Sequence, residues 1–196
     1  MHSIPEDHPL RRMFRHAVDK AFTQRRELYT PQVAAHISDD ILCDFVHTDR
    51  IYRFKDAGGC RLDAIQEMLP ISAQPEGPER RLEVDRYIGD FALFMLGFFP
   101  TTLGRSPGFR AEPLLSKVGS VYVEFRRSFD YYTAEGRKAY ERAAETARLF
   151  DPDSRVTYTQ LASDFEGYQG LLGSVRRFLW EDREFEDEFP ESVDGD

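Results

Sequence analysis

Apolar positions along the chain recur every three to four residues, the period of an α-helix. Between residues 9 and 28 they fall at Leu10, Phe14, Ala17, Ala21 and Leu28, a modest stripe diluted by two alanines. Thr30 before Pro31 supplies a capping hydroxyl followed by a proline at the first helical position. The helix it starts carries Ala34, Ile37, Ile41 and Phe45 on one face. A polar turn, Asp56-Ala-Gly-Gly59, precedes a short helix over about 61–69 that Pro70 stops, and 70–79 reads as a loop. Arg80 to Phe99, ended by Pro100, is apolar all round in its second half, which marks a central buried helix. Residues 100–113, with three prolines and two glycines, form the longest irregular connection.

From 118 to 150 one stripe persists, bulky and aromatic at first (Val121, Phe125, Phe129, Tyr132) and small later (Gly136, Ala139, Ala143, Ala147). A partner helix should therefore approach closely at the small end. Val121, Val123 and Phe125 also alternate as a strand would, but the longer helical pattern outvotes them. The last element opens on Thr157-Tyr-Thr-Gln160, the spacing of a capping box. It continues with Leu161, Phe165, Tyr168, Leu172, Val175 and Leu179, a seam suited to lying lengthwise along a neighbour. Gly167, Gly170 and Gly173 fall on the other side, where a kink or a close contact is expected. The sequence shows no internal repeat. The fold expected is an all-α bundle of five or six helices, with two long C-terminal helices over 118–150 and 157–188 and with 80–99 in the middle. Residues 1–180 would form a single helical domain, and 181–196 an acidic tail.

Charge refines this picture. The net charge of −9 argues against a nucleic-acid partner. Residues 181–196 hold nine acids against Arg183, whereas 9–26 hold six bases against Asp19. Solvated faces explain both runs; pairing of tail with arm, within a chain or across a dimer, is the sharper reading, and a basic helix on an anionic membrane a third. The longest apolar run, Phe91 to Phe99, is nine residues, so no membrane span is expected. The opening Met-His-Ser-Ile-Pro-Glu-Asp has no signal-peptide character, and Cys43 and Cys60 are too few for a disulfide framework. These features point to a cytoplasmic protein.

Chemistry-bearing motifs are sparse. Phosphate-binding loops, nucleophile elbows, zinc-protease motifs and di-iron Glu-x-x-His signatures are missing, so no catalytic residue and no cofactor is assigned. His36, Asp40, Cys43 and His47 lie within about a 60° arc of the 31–47 helix and are all metal-ligating types. Successive turns lie about 5.4 Å apart, so one straight helix offers half a site at best. The same wheel sets this arc opposite Ile37, Ile41 and Phe45, as an ordinary solvated face. Asp90 lies where the central helix turns apolar, and a buried carboxylate must be paired, hydrogen-bonded or protonated. Arg86 one turn back, or Tyr122, Arg126 and Ser128 across the bundle, are candidate partners. Asp90 is read first as structural; alternatively Tyr87, Asp90, Tyr122 and Arg126 line an aromatic ligand pocket.

Tyr87-Ile-Gly-Asp-Phe-Ala-Leu-Phe-Met-Leu-Gly-Phe-Phe-Pro100, followed by Tyr122-Val-Glu-Phe-Arg-Arg-Ser128, resembles a bacterial family of helical proteins with no assigned activity. That family is marked by an Ile/Val-Gly-Asp-x-Ala-Leu-Phe core ending in Phe-Pro and a following Tyr-Val-x-x-Gly-(Lys/Arg)-(Ala/Ser)-Tyr helix. The resemblance is firmest over 80–150. It departs at Arg126 and Phe129, where glycine and tyrosine belong. It implies the helical fold and gives weight to Asp90, but no mechanism. The function expected is therefore non-enzymatic, through self-association or a protein partner. The alternative is a small-ligand- or metal-binding bundle with its pocket around Asp90.

Overall fold

The computed structural model describes residues 4–46, 53, 54, 62, 64–73, 77–100 and 117–181, with backbone alone for 117–126 and 181. These residues form seven helices and no strand. Helix α1 spans Pro9–Gln24, with Pro9 at its first position and the His8 ring accepting a hydrogen bond from the Leu10 amide. Helix α2 covers 31–45. It begins as Pro31–Ala35, widens into a π-helical turn over His36–Leu42, and closes as Cys43–Phe45. The predicted cap is present: the Thr30 hydroxyl accepts from the Val33 amide.

Helix α3 is Ile65–Ala73, α4 Pro78–Phe98, α5 Lys117–Ala147, α6 Pro152–Ser163 and α7 Phe165–Glu181. Gly77, at φ +133°, turns the chain into Pro78 in a conformation that glycine tolerates best.

Helix α4 is the central element that the sequence predicts. From Tyr87 to Phe94 every residue is buried, and α4 packs against α5, α7, α3 and α2. The small end of the α5 stripe makes the close approach expected of it. A Cβ at Gly136 would meet Ala92 and Phe165 at 2.6 Å, and one at Gly89 would meet the Tyr140 ring at 2.7 Å. Helix α6 folds back on α5, and α7 lies between α4 and α1. The seam on 157–188 is largely buried: Leu161, Phe165, Leu172 and Val175 are fully enclosed, with Tyr168 nearly so.

Three expectations on element bounds are corrected. Pro70 sits inside α3, which continues to Ala73 at the cost of one backbone hydrogen bond. The predicted 157–188 helix is two helices. Asp151-Pro152, a capping carboxylate and a proline, opens α6 six residues earlier than Thr157, whose hydroxyl instead bonds the Asp153 carbonyl inside that helix. Asp164 then leaves helical geometry, and its carboxylate caps the Gly167 amide at 3.2 Å. The apolar face of α1 (Phe14, Ala17, Val18, Ala21, Phe22) is buried, with α7 and α2 packed against the helix. Arg11 and Arg15 of α1 reach Asp39 on α2.

The 56–59 turn, the 100–113 connection past Pro100 and the acidic segment beyond Glu181 lie outside the described residues, as does Cys60. No helix among the described residues is long and apolar enough to cross a membrane.

Candidate functional site

Asp90 is buried on α4 and is the hub of a polar cluster drawn from four helices. Its Oδ1 accepts from the Tyr140 hydroxyl of α5 at 2.8 Å and lies 2.7 Å from His36 Nε2 of α2. Arg86, one turn back on α4, brings its Nε to 3.8 Å from Oδ2. On the other side of the imidazole, His36 Nδ1 lies 3.0 Å from Asp40 Oδ2. Tyr158 of α6 completes the enclosure, stacked on Tyr140 at 6.1 Å and edge-on to His36 at 5.7 Å.

Burial alone would push the His36 imidazole down, but the charge of Asp90 and the hydrogen bonds of Asp90 and Asp40 outweigh it, and its pKa rises to about 9. At neutral pH His36 is thus an imidazolium that donates from both ring nitrogens, to Asp90 and to Asp40. Burial opposes ionisation of Asp40 too, yet the hydrogen bond from His36 holds its carboxyl below the usual range. Burial, reinforced by the charge of Asp90, raises Tyr140 well above its ordinary value and Tyr158 to about 12. The cluster is a neutralised, hydrogen-bonded knot with protonated tyrosines.

A second carboxylate of α4 is handled the same way. Asp85 is fully buried; the Ser72 hydroxyl donates to Oδ1 at 2.5 Å and Arg142 Nε of α5 donates to it at 2.8 Å. Arg81 stands 3.9 Å from Oδ2, repeating the Arg-x-x-x-Asp spacing of Arg86 and Asp90. That repeat is the sequence signal that points to Asp85.

The structure separates the residues proposed for a ligand pocket. Tyr87 packs among Phe45, Phe54 and Phe91, whereas Asp90 turns to His36 and Tyr140. Ser128 is buried but makes no hydrogen bond to Asp90. The side chains of Tyr122 and Arg126 lie outside the described residues.

For the metal arc, the expectation of a solvated face is corrected at His36 and Cys43, which are 6% and 2% exposed. Helix α2 is covered on both sides, by α1 and by α4 with α6, and its π-helical turn departs from the 100° per residue that the wheel assumed. His36 and Asp40 bond to each other, burial raises the Cys43 thiol, and His47 lies outside the described residues. Among the described residues no group of three His, Cys, Asp or Glu side chains is placed to hold a metal ion.

Sequence reasoning missed an apolar groove of about 400 Å³ at one end of the bundle. Met13 and Phe14 of α1, Phe45 and Val46 at the end of α2, Phe98 and Phe99 at the end of α4, and Leu179 and Trp180 of α7 are among its walls. Asp90, His36 and Tyr140 do not reach it. Val46, Phe99 and Trp180 are 46, 38 and 61% exposed, so three large apolar groups meet water around one depression. The chain matches no protein-family model, no curated protein and no solved structure.

Proposed function

We propose that this protein works by association with a second copy of itself, not by catalysis, and that the groove between α1 and the ends of α2, α4 and α7 is the contact surface. The observation that carries the reading is the gathering of exposed Val46, Phe99 and Trp180 around a groove whose walls are all apolar residues. Contiguous exposed apolar surface larger than a few hundred Å² marks interaction sites, and tryptophan is among the residues enriched at their anchors. Ten apolar walls give a polar substrate nothing to orient it.

Charge favours a second copy as the occupant. Helix α1, which lines one side, belongs to a stretch with six bases against one acid, and α7, which lines another, leads into nine acids against one base. A two-fold axis that brings α1 of one copy against the end of α7 of the other sets each sign against its opposite. The titratable clusters around Asp90 and Asp85 are buried and hydrogen-bonded across helices, which suits a structural role.

Sedimentation velocity over a wide concentration range tests the reading. A reversible dimer is expected, weakened at least tenfold by joint Trp180→Ala and Val46→Ser substitution, since both side chains are exposed and their loss spares the core. A chain that stays monomeric at every concentration would overturn it. So would a monomer carrying a discrete bound mass in native mass spectrometry, which would make the groove a small-ligand site.

A further inference from the structure

The groove and the sequence that follows α7 fit one another. Residues 182–196 hold eight acids against Arg183, and their large apolar side chains are Phe185 and Phe189, four apart and followed by Pro190. Side chains four apart share one face of a helical turn, the spacing by which amphipathic segments anchor in apolar grooves. The groove is open to aromatic groups: Phe98 and the exposed Trp180 already meet edge to face at 5.4 Å on its wall. On α1, Arg12 is exposed next to the wall residue Met13, and Lys20, two turns further on, sits over the ring of Phe178, the neighbour of the wall residue Leu179, at 5.0 Å. An acidic segment with two phenylalanines would therefore find apolar walls for its rings and basic neighbours for its carboxylates.

We infer that the occupant of the groove is residues 182–196 of a second copy, exchanged reciprocally, with Phe185 and Phe189 seated against Phe98, Phe99 and Trp180 and the acids facing α1. This deepens the self-association reading and rests on it. The segment follows directly on Leu179 and Trp180, two walls of the groove, and the choice of a second copy as its source comes from the self-association reading. Docking of the segment within its own chain is the alternative that the measurements below separate from the exchange. Under two-fold symmetry the same segment enters each groove from outside, and both grooves are filled alike.

The test uses the full chain with Phe185→Ser and Phe189→Ser together. Sedimentation velocity should show a dimer weakened at least tenfold, with a similar loss when salt rises from about 0.05 M to about 0.5 M. A synthetic peptide of residues 182–196, added to the unsubstituted chain, should compete for the groove and dissociate the dimer. Trp180 is the only tryptophan, so its emission reports on the groove alone; it should shift to the red in the double variant. A double variant that dimerises as tightly as its parent overturns the inference. If Trp180→Ala with Val46→Ser still weakens that dimer, the self-association reading survives the failure. A full chain that is monomeric, yet whose Trp180 emission shifts in the double variant, assigns the segment to its own groove and overturns both the exchange and the dimer.

Discussion

Among individual residues, Asp90 bears the greatest consequence. It accepts from Tyr140, pairs with His36 and stands near Arg86, so removing its charge strands an imidazolium inside the bundle. Breaking a buried pair by deleting one partner costs about 3–5 kcal/mol, far more than the net worth of the intact pair. Asp90→Asn keeps the shape and should lower unfolding stability by about 3 kcal/mol in urea titration, with the far-UV spectrum of the folded state unchanged. His36→Gln relieves the same stranded charge, so the double variant should be less impaired than the sum of the singles. Strict additivity would show that the two residues do not act as a pair. The importance of Asp90 was legible in the sequence, because a carboxylate in an all-apolar stretch has to be answered. Arg86 was legible too, one helical turn away. His36 and Tyr140 were not, since their approach depends on the packing of α2 and α5 against α4, which no local spacing encodes.

Helix–helix contact in this molecule depends on missing side chains. Gly89 and Gly97 on α4 and Gly136 on α5 stand where a Cβ would lie 2.5–2.7 Å from a neighbouring side chain. Helix propensity alone says that alanine should stabilise each position by up to about 1 kcal/mol. Packing says the reverse, because the opposing atoms are ring carbons or a Cβ and cannot swing aside. Overpacking costs about 1–3 kcal/mol, so Gly89→Ala and Gly136→Ala should each lower the thermal midpoint. Gly173→Ala is the contrast: its Cβ would find only the Gly97 carbonyl, at 4.0 Å, and the substitution should be neutral or stabilising. Differential scanning calorimetry of the three variants decides which term wins at each site. The close approach at the Gly/Ala end of α5 was readable from the 118–150 stripe, and so was the central place of α4. The joint at Asp164 was hidden, because a seam spaced 4-3-4-3 reads continuously across a cap that only backbone geometry reveals.

For the whole molecule, one buried charge and one net charge respond to alkali in ways that salt can separate. The folded-state pKa of His36 is about 9, above the value of about 6.5 for a solvated histidine. Its contribution is therefore fully present below about pH 6.5 and is lost as pH rises through about 9. The difference corresponds to about 3 kcal/mol at most. Self-repulsion from the net charge of −9 also grows toward high pH, but it acts between exposed groups and is screened by salt. Urea midpoints between pH 6 and 10 should fall at both low and high salt in the parent chain. In His36→Gln the fall at high salt should be largely abolished. An identical high-salt profile in the two proteins would show that His36 carries no pH-dependent stability. The all-α architecture was open to reading at this scale, since helical period dominates the chain. The groove was not, because its walls come from four helices and only their convergence creates it.

The knot around Asp90 also acts as a stop against sliding. Leucines and phenylalanines along a helix interface fix axial position only weakly, so the height of α4 along α5 is set by the glycine contacts at Gly89 and Gly136 and by the polar groups. A displacement of one turn, about 5.4 Å, would carry Asp90 away from both His36 and Tyr140 and move Asp85 away from Ser72 and Arg142. Two carboxylates would then lose every hydrogen bond from the neighbouring helices and keep only Arg86 and Arg81 of their own helix beside them, at a cost of several kcal/mol. The two aspartates index the central helix against its neighbours as teeth index a ratchet, and they leave the surrounding apolar side chains one axial position in which to pack.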